Sequence, residues 1–299
     1  MIISILYSIF MKPFFLLNNF FITRFFNPGL RTYLFNCEDN KQVILASPTR
    51  RQAKRFKSTL RDDNNFFKTL DIALEPVQGN ICIDIGANVG YWSMAFNRYL
   101  SRDKVIFSIE PERRNLNILS YNLRKEKDIS IFQTGLGSKI ESKSFGIPEY
   151  HKLRGGEHSL NTGNMSIYHS DQKSDRVRLT SVDKLVDGFS SNNDKVFLIK
   201  IDVEGYEMDV ILGMQQCIDV HRPVVILEIN PDTQKLAKYD LRELLSLFDQ
   251  YMLFIPVNVD FNIDKNGLPS HSINMILSPE IIEPDVLELM GYVKFSLLK

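Results

Sequence analysis

The sequence predicts an α/β fold with a doubly wound, mostly parallel sheet. From residue 80 onward, short apolar runs rich in Val and Ile alternate with segments that have the spacing of amphipathic helices. A run that is apolar throughout is typical of a strand in a parallel sheet that helices cover on both faces. Hydrophobic residues make up 44% of the chain and charged residues 24%, which excludes a disordered or collagen-like protein.

The predicted elements follow one another in a regular order. Each strand is a short, mostly apolar run that ends at a glycine, a proline or a polar turn. The predicted strands are 81–85, 105–109, 129–132, 196–201, 224–227, 252–255 and 273–277. The predicted helices are 91–100, 115–124, 207–218 and 234–248. Because apolar strands and helices alternate along most of this region, we expect a parallel sheet, with the carboxyl ends of its strands at one edge.

Composition divides the chain into three parts. We expect an apolar and basic N-terminal extension over residues 1–64, an α/β domain over 65–278 and a C-terminal tail over 279–299. A polar stretch, 148–176, interrupts the domain and contains three of the five histidines. An insertion of this length is usually a functional lid or a mobile loop.

The N-terminal extension differs in charge from the rest of the chain. Residues 1–61 contain ten Lys and Arg but only two Asp and Glu, whereas the whole chain has 36 of each kind. Its first 26 residues are rich in Phe, Leu and Ile, but Lys12 and Pro13 interrupt the roughly 20 apolar residues that a spanning helix needs. Two interpretations stay open: the segment packs on its own domain, or it contacts a membrane surface with the basic cluster 50–61 on anionic lipid.

Charge and cysteine content narrow the function classes. A net charge of zero argues against a polycationic protein made to bind nucleic acid. Cys37, Cys82 and Cys217 are far apart, odd in number and form no CxxC motif. We therefore expect free thiols in a reducing compartment, which predicts a cytoplasmic location, with membrane association through residues 1–61 under the anchor interpretation.

The strongest motif is DIGANVG at residues 84–90, directly after the first strand and before its helix. Gly86 and Gly90 permit a tight turn that lets the backbone approach a ligand, and the helix N-terminus adds amide donors. Asn88 stands where the dinucleotide-binding fingerprint has its second glycine, which disfavours a nicotinamide cofactor. Asp84 would repel a pyrophosphate but suits a ligand with positive charge. An ordinary strand-to-helix turn is the structural alternative.

Glu110 ends the second strand, 20 residues after Gly90. An acid at this position of a doubly wound fold accepts hydrogen bonds from ribose hydroxyls. The alternative is a carboxylate that stabilises the start of the next helix. Together with the glycine turn, Glu110 points to a cofactor of the adenosine type.

Ionisable residues gather at the end of the fourth strand. Lys200, Asp202 and Glu204 alternate, so they share one face for as long as the strand continues. Such groups at the mouth of a buried strand are costly unless they are paired or functional. Glu228 ends the next strand and is expected to line the same crevice. An ion pair of Lys200 together with helix-capping acids is the structural alternative.

Five motifs occur in an order and spacing that resembles the FkbM-type methyltransferases: DIGANVG, IEPERRNLNILSYNL, LTSVDKL, LIKIDVEGYE and PVVILEIN. The resemblance covers about residues 65–278, and DIGANVG followed by KIDVEGYE is its most specific part. It implies a Rossmann-like class I fold that uses S-adenosylmethionine. At 180–183 the chain has Thr-Ser-Val-Asp where the family more often has Thr-Leu-Asp, but Asp183 is retained.

The resemblance also implies a role for each matching residue. The implied cofactor-binding residues are Asp84, Gly86, Asn88 and Gly90 around the methionine end, Glu110 at the ribose, Leu136 at the adenine, and Asp202. Asp202 and Glu204 would lie at the methyl-transfer centre.

Transfer to a hydroxyl requires the acceptor oxygen to be in line with the methyl carbon and its proton to be removed. The candidate bases are Asp202, Glu204, Glu228 and, from the polar insertion, His158. A divalent metal bound by Asp202, Glu204 or Glu228 is an alternative way to lower the pKa of the hydroxyl. For His158, a solvated loop histidine is the simpler interpretation.

The sequence therefore predicts an S-adenosylmethionine-dependent O-methyltransferase that acts on a hydroxyl of a sugar, glycan or secondary metabolite. Its expected partner is a small-molecule or glycan acceptor. The alternatives are an NAD(P)-dependent oxidoreductase on a similar sheet and a non-catalytic, membrane-tethered nucleotide-binding protein. Asn88 argues against the first alternative, and the acids at both strand ends argue against the second.

Overall fold

A computed structural model describes residues 64–145, 175–188, 194–279 and 281–296, and the backbone of 31–36 and 42–47. The strands are β1 (Arg31–Asn36), β2 (Gln42–Ser47), β3 (Ile81–Ile85), β4 (Val105–Ile109), β5 (Ile129–Phe132), β6 (Gly135–Leu136), β7 (Glu141–Phe145), β8 (Asp175–Thr180), β9 (Val196–Ile201), β10 (Val224–Ile229), β11 (Tyr251–Pro256), β12 (Ile273–Pro279) and β13 (Tyr292–Phe295). The helices are α1 (Asn64–Leu74), α2 (Tyr91–Tyr99), α3 (Arg113–Leu123), α4 (Val182–Asp187), α5 (Glu207–Leu212), α6 (Gln215–His221), α7 (Pro231–Ala237), α8 (Leu241–Ser246) and α9 (Pro284–Leu289).

An eight-stranded sheet forms the centre of the fold, in the order β13-β11-β12-β10-β9-β3-β4-β5. Five neighbouring strands, β10, β9, β3, β4 and β5, are parallel. On the β10 side, β12, β11 and β13 extend the sheet with antiparallel pairs. The predicted doubly wound, mostly parallel architecture is thus confirmed. The strand order reverses between β3 and β9, and ligands of such sheets bind at the carboxyl ends of the strands beside the reversal.

Helices cover both faces of this sheet, which is why β3 and β9 are buried along their whole length. On one face, apolar residues of α1, α2 and α9 form a core with Phe67 and Phe96 among its largest side chains. On the other face, residues of α5, α6 and α8 pack against β9 and β10. Asp84 and Lys200 are charged side chains inside otherwise apolar strands, so they need a local explanation.

Two predicted helices are each divided in two. The predicted helix 207–218 ends at Leu212, and α6 begins only at Gln215. Gly213 lies between them, so close to the backbone of Gly137 that a Cβ would be 2.1 Å from the carbonyl oxygen of that residue. The chain must therefore leave the helix at this contact.

The predicted helix 234–248 also begins earlier than expected and breaks in the middle. α7 starts at Pro231, because the Asn230 side chain accepts a hydrogen bond from the Asp232 N–H and caps the helix. Lys238 then adopts a left-handed conformation with φ +61°. Asp240 caps α8 by accepting from the Arg242 N–H at 2.8 Å.

A three-stranded sheet, β6-β8-β7, adds to the predicted elements. β7 leads into the polar insertion and β8 leads out of it, and the last two residues of the predicted 148–176 stretch belong to β8. Residues 146–174 of the insertion lie outside the described residues. In the segment predicted as a C-terminal tail, α9 and β13 are formed, and β13 pairs with β11 at the edge of the sheet.

β1 and β2 form an antiparallel hairpin within the N-terminal extension, and β2 lies against α3. This part of the extension therefore packs on the domain. Residues 1–30 and the basic cluster 50–61 lie outside the described residues, so the membrane contact stays a prediction. In the portion of the chain that the structure describes, no helix combines the length and the apolar character needed to cross a membrane.

Candidate functional site

The glycine turn after β3 depends on two close approaches of the backbone. Gly86 has φ +81°, and a Cβ on it would lie 1.8 Å from the carbonyl oxygen of Asp202 at the end of β9. Gly90 has φ +96°, and its Cβ would lie 2.8 Å from a methyl group of Leu119 in α3. Both conformations strongly favour glycine. The turn can therefore connect β3 to α2 while it touches the neighbouring strand and helix.

Asp84 is buried below this turn, with 1% of its surface exposed. It accepts hydrogen bonds from the Ser93 hydroxyl at 2.5 Å and from the backbone N–H of Ser93. The same hydroxyl lies 2.7 Å from the hydroxyl oxygen of Ser108 in β4. Burial raises the pKa of Asp84 to about 6, although the bonds from Ser93 and the charge of Lys200 oppose this shift. Asp84 thus holds the start of α2 and places negative charge under the glycine turn.

Glu110 is nearly fully buried and receives three hydrogen bonds. Its Oε2 accepts from the backbone N–H of Asn88 at 2.8 Å, and its Oε1 accepts from the Glu112 N–H at 2.9 Å and the Asn115 amide at 3.3 Å. Burial raises the pKa of Glu110 to about 8, while the three donors act in the opposite direction. In its ionised form, which these three donors favour, Glu110 has about four acceptor positions and can accept one further bond from a ligand.

Asn88 links the glycine turn to Glu110. It adopts the left-handed conformation, with φ +50°, which asparagine tolerates better than most residues and which lets its N–H reach Glu110. Its side-chain Oδ1 is buried and has no hydrogen-bond partner among the described residues. An unsatisfied buried polar atom costs about 1–3 kcal/mol. Asn88 is therefore a candidate to accept a hydrogen bond from a bound ligand.

Lys200 of β9 is fully buried, with 0% of its surface exposed. Its ammonium lies 3.3 Å from Oδ2 of Asp202 and 5.3 Å from the ring centre of Trp92, and it donates to the Ile201 carbonyl at 3.3 Å. Register in the sheet also places Lys200 beside Asp84 of β3. The Asp202 side chain is 31% exposed, so this ion pair is only partly buried, and the Lys200 charge favours the carboxylate form of Asp202.

The end of β10 places Glu228 against Asp202. Burial, followed by the charge of Asp202 and a carboxyl–carboxyl hydrogen bond with it, raises the pKa of Glu228 to about 9. Glu204, in the turn after β9, has φ +52°, and burial together with the charge of Asp202 raises its pKa to about 8. At pH 7 both glutamic acids are mostly protonated, and Asp202 is the carboxylate that Lys200 keeps charged.

Glu207, the first residue of α5, supports the turn that carries Glu204. Its Oε1 accepts from the Gly205 N–H at 3.0 Å, and its Oε2 accepts from the Tyr239 hydroxyl at 3.0 Å. Burial raises the pKa of Glu207. Gly205 has φ +102°, and a Cβ on it would lie 2.9 Å from the carbonyl oxygen of Thr233 in α7. The turn is therefore packed against α7 as well as against β3.

The three-stranded sheet is tied to the same turn through Lys143 of β7. The Lys143 ammonium donates to the Tyr206 hydroxyl at 2.6 Å and lies 4.8 Å from the centre of its ring. Tyr206 directly precedes α5. β7, the strand that leads into the polar insertion, is thus held against the turn that carries Glu204.

A row of polar side chains crosses one face of the sheet near its carboxyl edge. Ser108, Asp84 and Lys200 are register partners on β4, β3 and β9. Beyond them, Asp202 contacts Glu228, which is the register partner of Asn274 on β12. Asn274 is not among the site residues predicted from the sequence. Its signal was weak, since it is a single polar residue in the apolar run INMIL and lies outside the resembling motifs.

The structure brings most of the predicted site residues to the carboxyl ends of four adjacent strands, β4, β3, β9 and β10. Leu136 lies in β6, is 3% exposed and belongs to the same core cluster as Leu179 and Tyr206, so its adenine contact stays a prediction. His158 lies outside the described residues. Cys82 and Cys217 are buried free thiols, and Cys37 also lies outside the described residues.

The candidate metal ligands do not fit a divalent cation as they are placed. Asp202 already contacts the Lys200 ammonium and shares a hydrogen bond with Glu228. A positive charge at this distance opposes a second cation. In the side chains that the structure describes, no group of three or more His, Cys, Asp or Glu could hold a metal ion. We therefore assign no step of the reaction to a metal.

The sequence was also compared with known protein families and with curated proteins. The sequence model of the FkbM methyltransferase domain matches residues 84–256, more than half of the chain. None of the curated proteins matches the chain in sequence.

Three similar solved structures are methyltransferases. An FkbM methyltransferase from Methylobacillus flagellatus KT has 16% identity and a TM-score of 0.42, covering 74% of this chain and 60% of its own. An O-methyltransferase from Bacillus cereus, in complex with S-adenosylhomocysteine, has 13% identity and a TM-score of 0.41, covering 73% and 80%. TomG from Streptomyces achromogenes, in complex with S-adenosylmethionine, has 12% identity and a TM-score of 0.40, covering 77% and 90%. This chain thus spans 60% of the length of the Methylobacillus protein.

The strand order and the glycine turn at its reversal define a Rossmann-like α/β fold of the methyltransferase type. The family match makes the assignment more specific: this chain belongs to the FkbM methyltransferase family.

Proposed function

We propose that the protein transfers the methyl group of S-adenosylmethionine to a hydroxyl of a sugar, a glycan or a secondary metabolite. The observation that carries this proposal is the charged Asp202 between the Lys200 ammonium and the protonated Glu228. It lies at the carboxyl edge of β9, beside the strand reversal where a cofactor is expected. One charged carboxylate among neutral acids is suited to remove one proton from an acceptor.

The β3–β4 half of the site is suited to hold the cofactor. Glu110 would accept a hydrogen bond from a ribose hydroxyl, and the unpaired Oδ1 of Asn88 would accept from a second donor of the ligand. Gly86 and Gly90 let the backbone approach the methionine end, and Asp84 below them favours its positive charge. Leu136 is our candidate for the adenine contact. When bound, the cofactor supplies an electrophilic methyl group on a sulfonium.

The β9–β10 half would prepare the acceptor. Asp202 would accept the proton that the acceptor hydroxyl loses on methylation, and S-adenosylhomocysteine would be the leaving group. Lys200 stabilises Asp202 as the charged base, and the protonated Glu228 donates a hydrogen bond to it. A positioned general base typically contributes about 10²–10⁴-fold to a rate. Glu204 is protonated at pH 7 and would orient the acceptor rather than remove its proton.

Calorimetry with S-adenosylmethionine, S-adenosylhomocysteine and NAD tests the cofactor assignment. We expect the first two ligands to bind and NAD to give no heat of binding. Binding of NAD alone would instead support the oxidoreductase alternative. Absence of binding by all three would contradict the cofactor assignment itself.

Transfer from S-adenosylmethionine labelled on its methyl group tests the reaction itself. Methyl hexosides, phenols and polyols serve as acceptor probes, and mass spectrometry locates the added methyl on oxygen. Asp202→Asn is the matched inactive control. Label that appears on nitrogen or carbon acceptors alone would contradict O-methylation.

We also propose that the protein is cytoplasmic, binds no nucleic acid and contacts membranes peripherally through residues 1–61. The apolar first 26 residues and the excess of Lys and Arg support this contact. Co-sedimentation with anionic vesicles should depend on residues 1–26 and decrease at high salt. Equal and negligible sedimentation of the full-length and truncated proteins would contradict the anchor, whereas aggregation of the truncated protein would favour packing on the domain.

A further inference from the structure

We infer that Asn274 binds a second hydroxyl of the acceptor, so that the natural acceptor is a polyhydroxylated molecule such as a sugar rather than a simple alcohol. The inference rests on the proposed function and makes its acceptor class more specific. Asn274 lies outside residues 84–256, which match the family model. Its place in the fold is therefore the whole basis for the assignment.

The sheet aligns Asn274 with the acids of the proposed acceptor site. β12 is antiparallel to β10, and Asn274 is directly opposite Glu228. Directly opposite residues of an antiparallel pair have their side chains on the same face, and neighbouring strands are about 4.8 Å apart. Asp202, Glu228 and Asn274 thus follow one another across three adjacent strands, with Asn274 at the end of the row away from the glycine turn.

The amide oxygen of Asn274 is buried and has no hydrogen-bond partner among the residues that the structure describes. Ser278, another polar residue of the same strand, differs because its hydroxyl donates to the Pro279 carbonyl at 2.9 Å. An unsatisfied buried amide lowers stability, and an apolar side chain of similar shape would remove that cost. Asn274 therefore lowers the stability of the protein, and no described residue offsets this cost by donating a hydrogen bond to its amide oxygen.

The neighbouring groups do not supply the missing donor. The proton of Glu228 is engaged in its hydrogen bond with Asp202. A hydroxyl of a bound molecule is a donor of suitable size for this position. With the methylated hydroxyl at Asp202 and a second hydroxyl at Asn274, two strands away, the site fits an acceptor with hydroxyls on different sides of a ring.

Two substitutions separate a ligand-binding role from a structural one. Asn274→Leu removes the amide at nearly constant volume, so we expect a higher melting temperature than that of the parent. Asn122→Leu is the matched control, because the buried amide of Asn122 donates to the Val89 carbonyl at 2.7 Å and its loss should lower the melting temperature. A melting temperature of Asn274→Leu at or below that of the parent, or failure of this variant alone to fold, would overturn the inference.

The same variant should change acceptor choice without changing cofactor binding. We compare transfer to methyl hexosides and to cyclohexanol, which has a single hydroxyl. For Asn274→Leu, kcat/KM for the hexosides should fall roughly 10- to 100-fold, while the cyclohexanol rate and the affinity for S-adenosylmethionine stay the same. An unchanged ratio of the two rates, or no transfer to any hexoside by a parent protein that binds S-adenosylmethionine, would refute the second-hydroxyl role. A parent that binds no S-adenosylmethionine would instead refute the proposed function itself.

Discussion

The β3–β4 half and the β9–β10 half of the carboxyl edge both contain buried acids, but the groups around these acids differ. In the β3–β4 half, neutral donors surround the acids: Ser93 donates twice to Asp84, and Glu110 accepts three hydrogen bonds. In the β9–β10 half, acids lie against acids, and the charge of Asp202 raises the pKa values of both Glu204 and Glu228. The first arrangement is suited to hold a ligand in a fixed frame, and the second is suited to move a proton.

The backbone shows the same contrast. In the glycine turn, two of the three left-handed positions are glycines. In the turn 202–206 after β9, called the acidic turn here, Glu204 and Gly205 both have positive φ angles, +52° and +102°. Only the second of them is a glycine. A non-glycine residue in this conformation costs of order 1–3 kcal/mol, and such residues often occur at functional sites. The acidic turn therefore stores strain as well as unfavourable charge proximity.

The largest effect should come from the place where the two halves touch. Gly86→Ala puts a Cβ 1.8 Å from the Asp202 carbonyl oxygen and forces an alanine to φ +81°. We expect the variant to lose about 4 kcal/mol or more of its free energy of unfolding, or to fail to fold. Denaturant unfolding measures this loss.

Gly188→Ala is the control for this substitution, since its Cβ would lie 3.4 Å from the backbone oxygen of Leu185, which is an ordinary contact. If Gly86→Ala is as stable as Gly188→Ala, the two turns are not in contact, and the halves must be treated as independent sites.

The next effect separates chemistry from binding. Asp202→Asn should lower kcat about 100-fold or more, because the proposed base is lost, with little change in the affinity for S-adenosylmethionine. Glu204→Gln should lower kcat less, because Glu204 is protonated at pH 7 and its glutamine analogue keeps a hydrogen-bond donor. Single-turnover rates and calorimetry provide the two measurements. Equal activity of Asp202→Asn and the parent would leave Asp202 with only its structural role beside Lys200.

The contrast between the halves explains what could be predicted from the sequence. DIGANVG and Glu110 were predictable, because a strand, a glycine turn and an acid at fixed spacing form a local pattern in one βαβ unit. The pairing of Asp202 with Glu228, and the position of Asn274 beyond it, depends on which strands become neighbours in space. No local pattern encodes that β12 lies beside β10. The helix breaks at Gly213 and Lys238 were likewise missed, because contacts with Gly137 and the capping by Asp240 decide them.

A smaller effect, on cofactor affinity, is expected from removing the Glu110 carboxyl group. Glu110→Ala should weaken the binding of S-adenosylmethionine by roughly 1–3 kcal/mol, since the ribose loses an acceptor and buried N–H groups lose their partner. Asp183→Ala is the matched control: Asp183 of α4 also accepts two backbone hydrogen bonds, from Gln216 and Cys217 at the start of α6, away from the glycine turn. Calorimetry should show weaker binding for the first variant only. The same affinity in a folded Glu110→Ala variant would remove Glu110 from the proposed cofactor site.

The last prediction concerns the pH dependence of stability, to which Glu228 of the β9–β10 half should contribute. Its pKa is about 9 in the folded protein and 4.5 is its ordinary value, so between these pH values the folded state binds a proton that the unfolded state has released. This group therefore lowers the stability as the pH rises through that window and has no further effect above it. Glu228→Gln cannot ionise, so its advantage over the parent should grow between pH 5.5 and pH 8.5 in urea unfolding. Glu288→Gln, the same substitution at an exposed position of α9, is the control. Parallel pH profiles for the parent and Glu228→Gln would mean that Glu228 is ionised in the folded protein, and the β9–β10 half would then not hold a neutral acid beside Asp202.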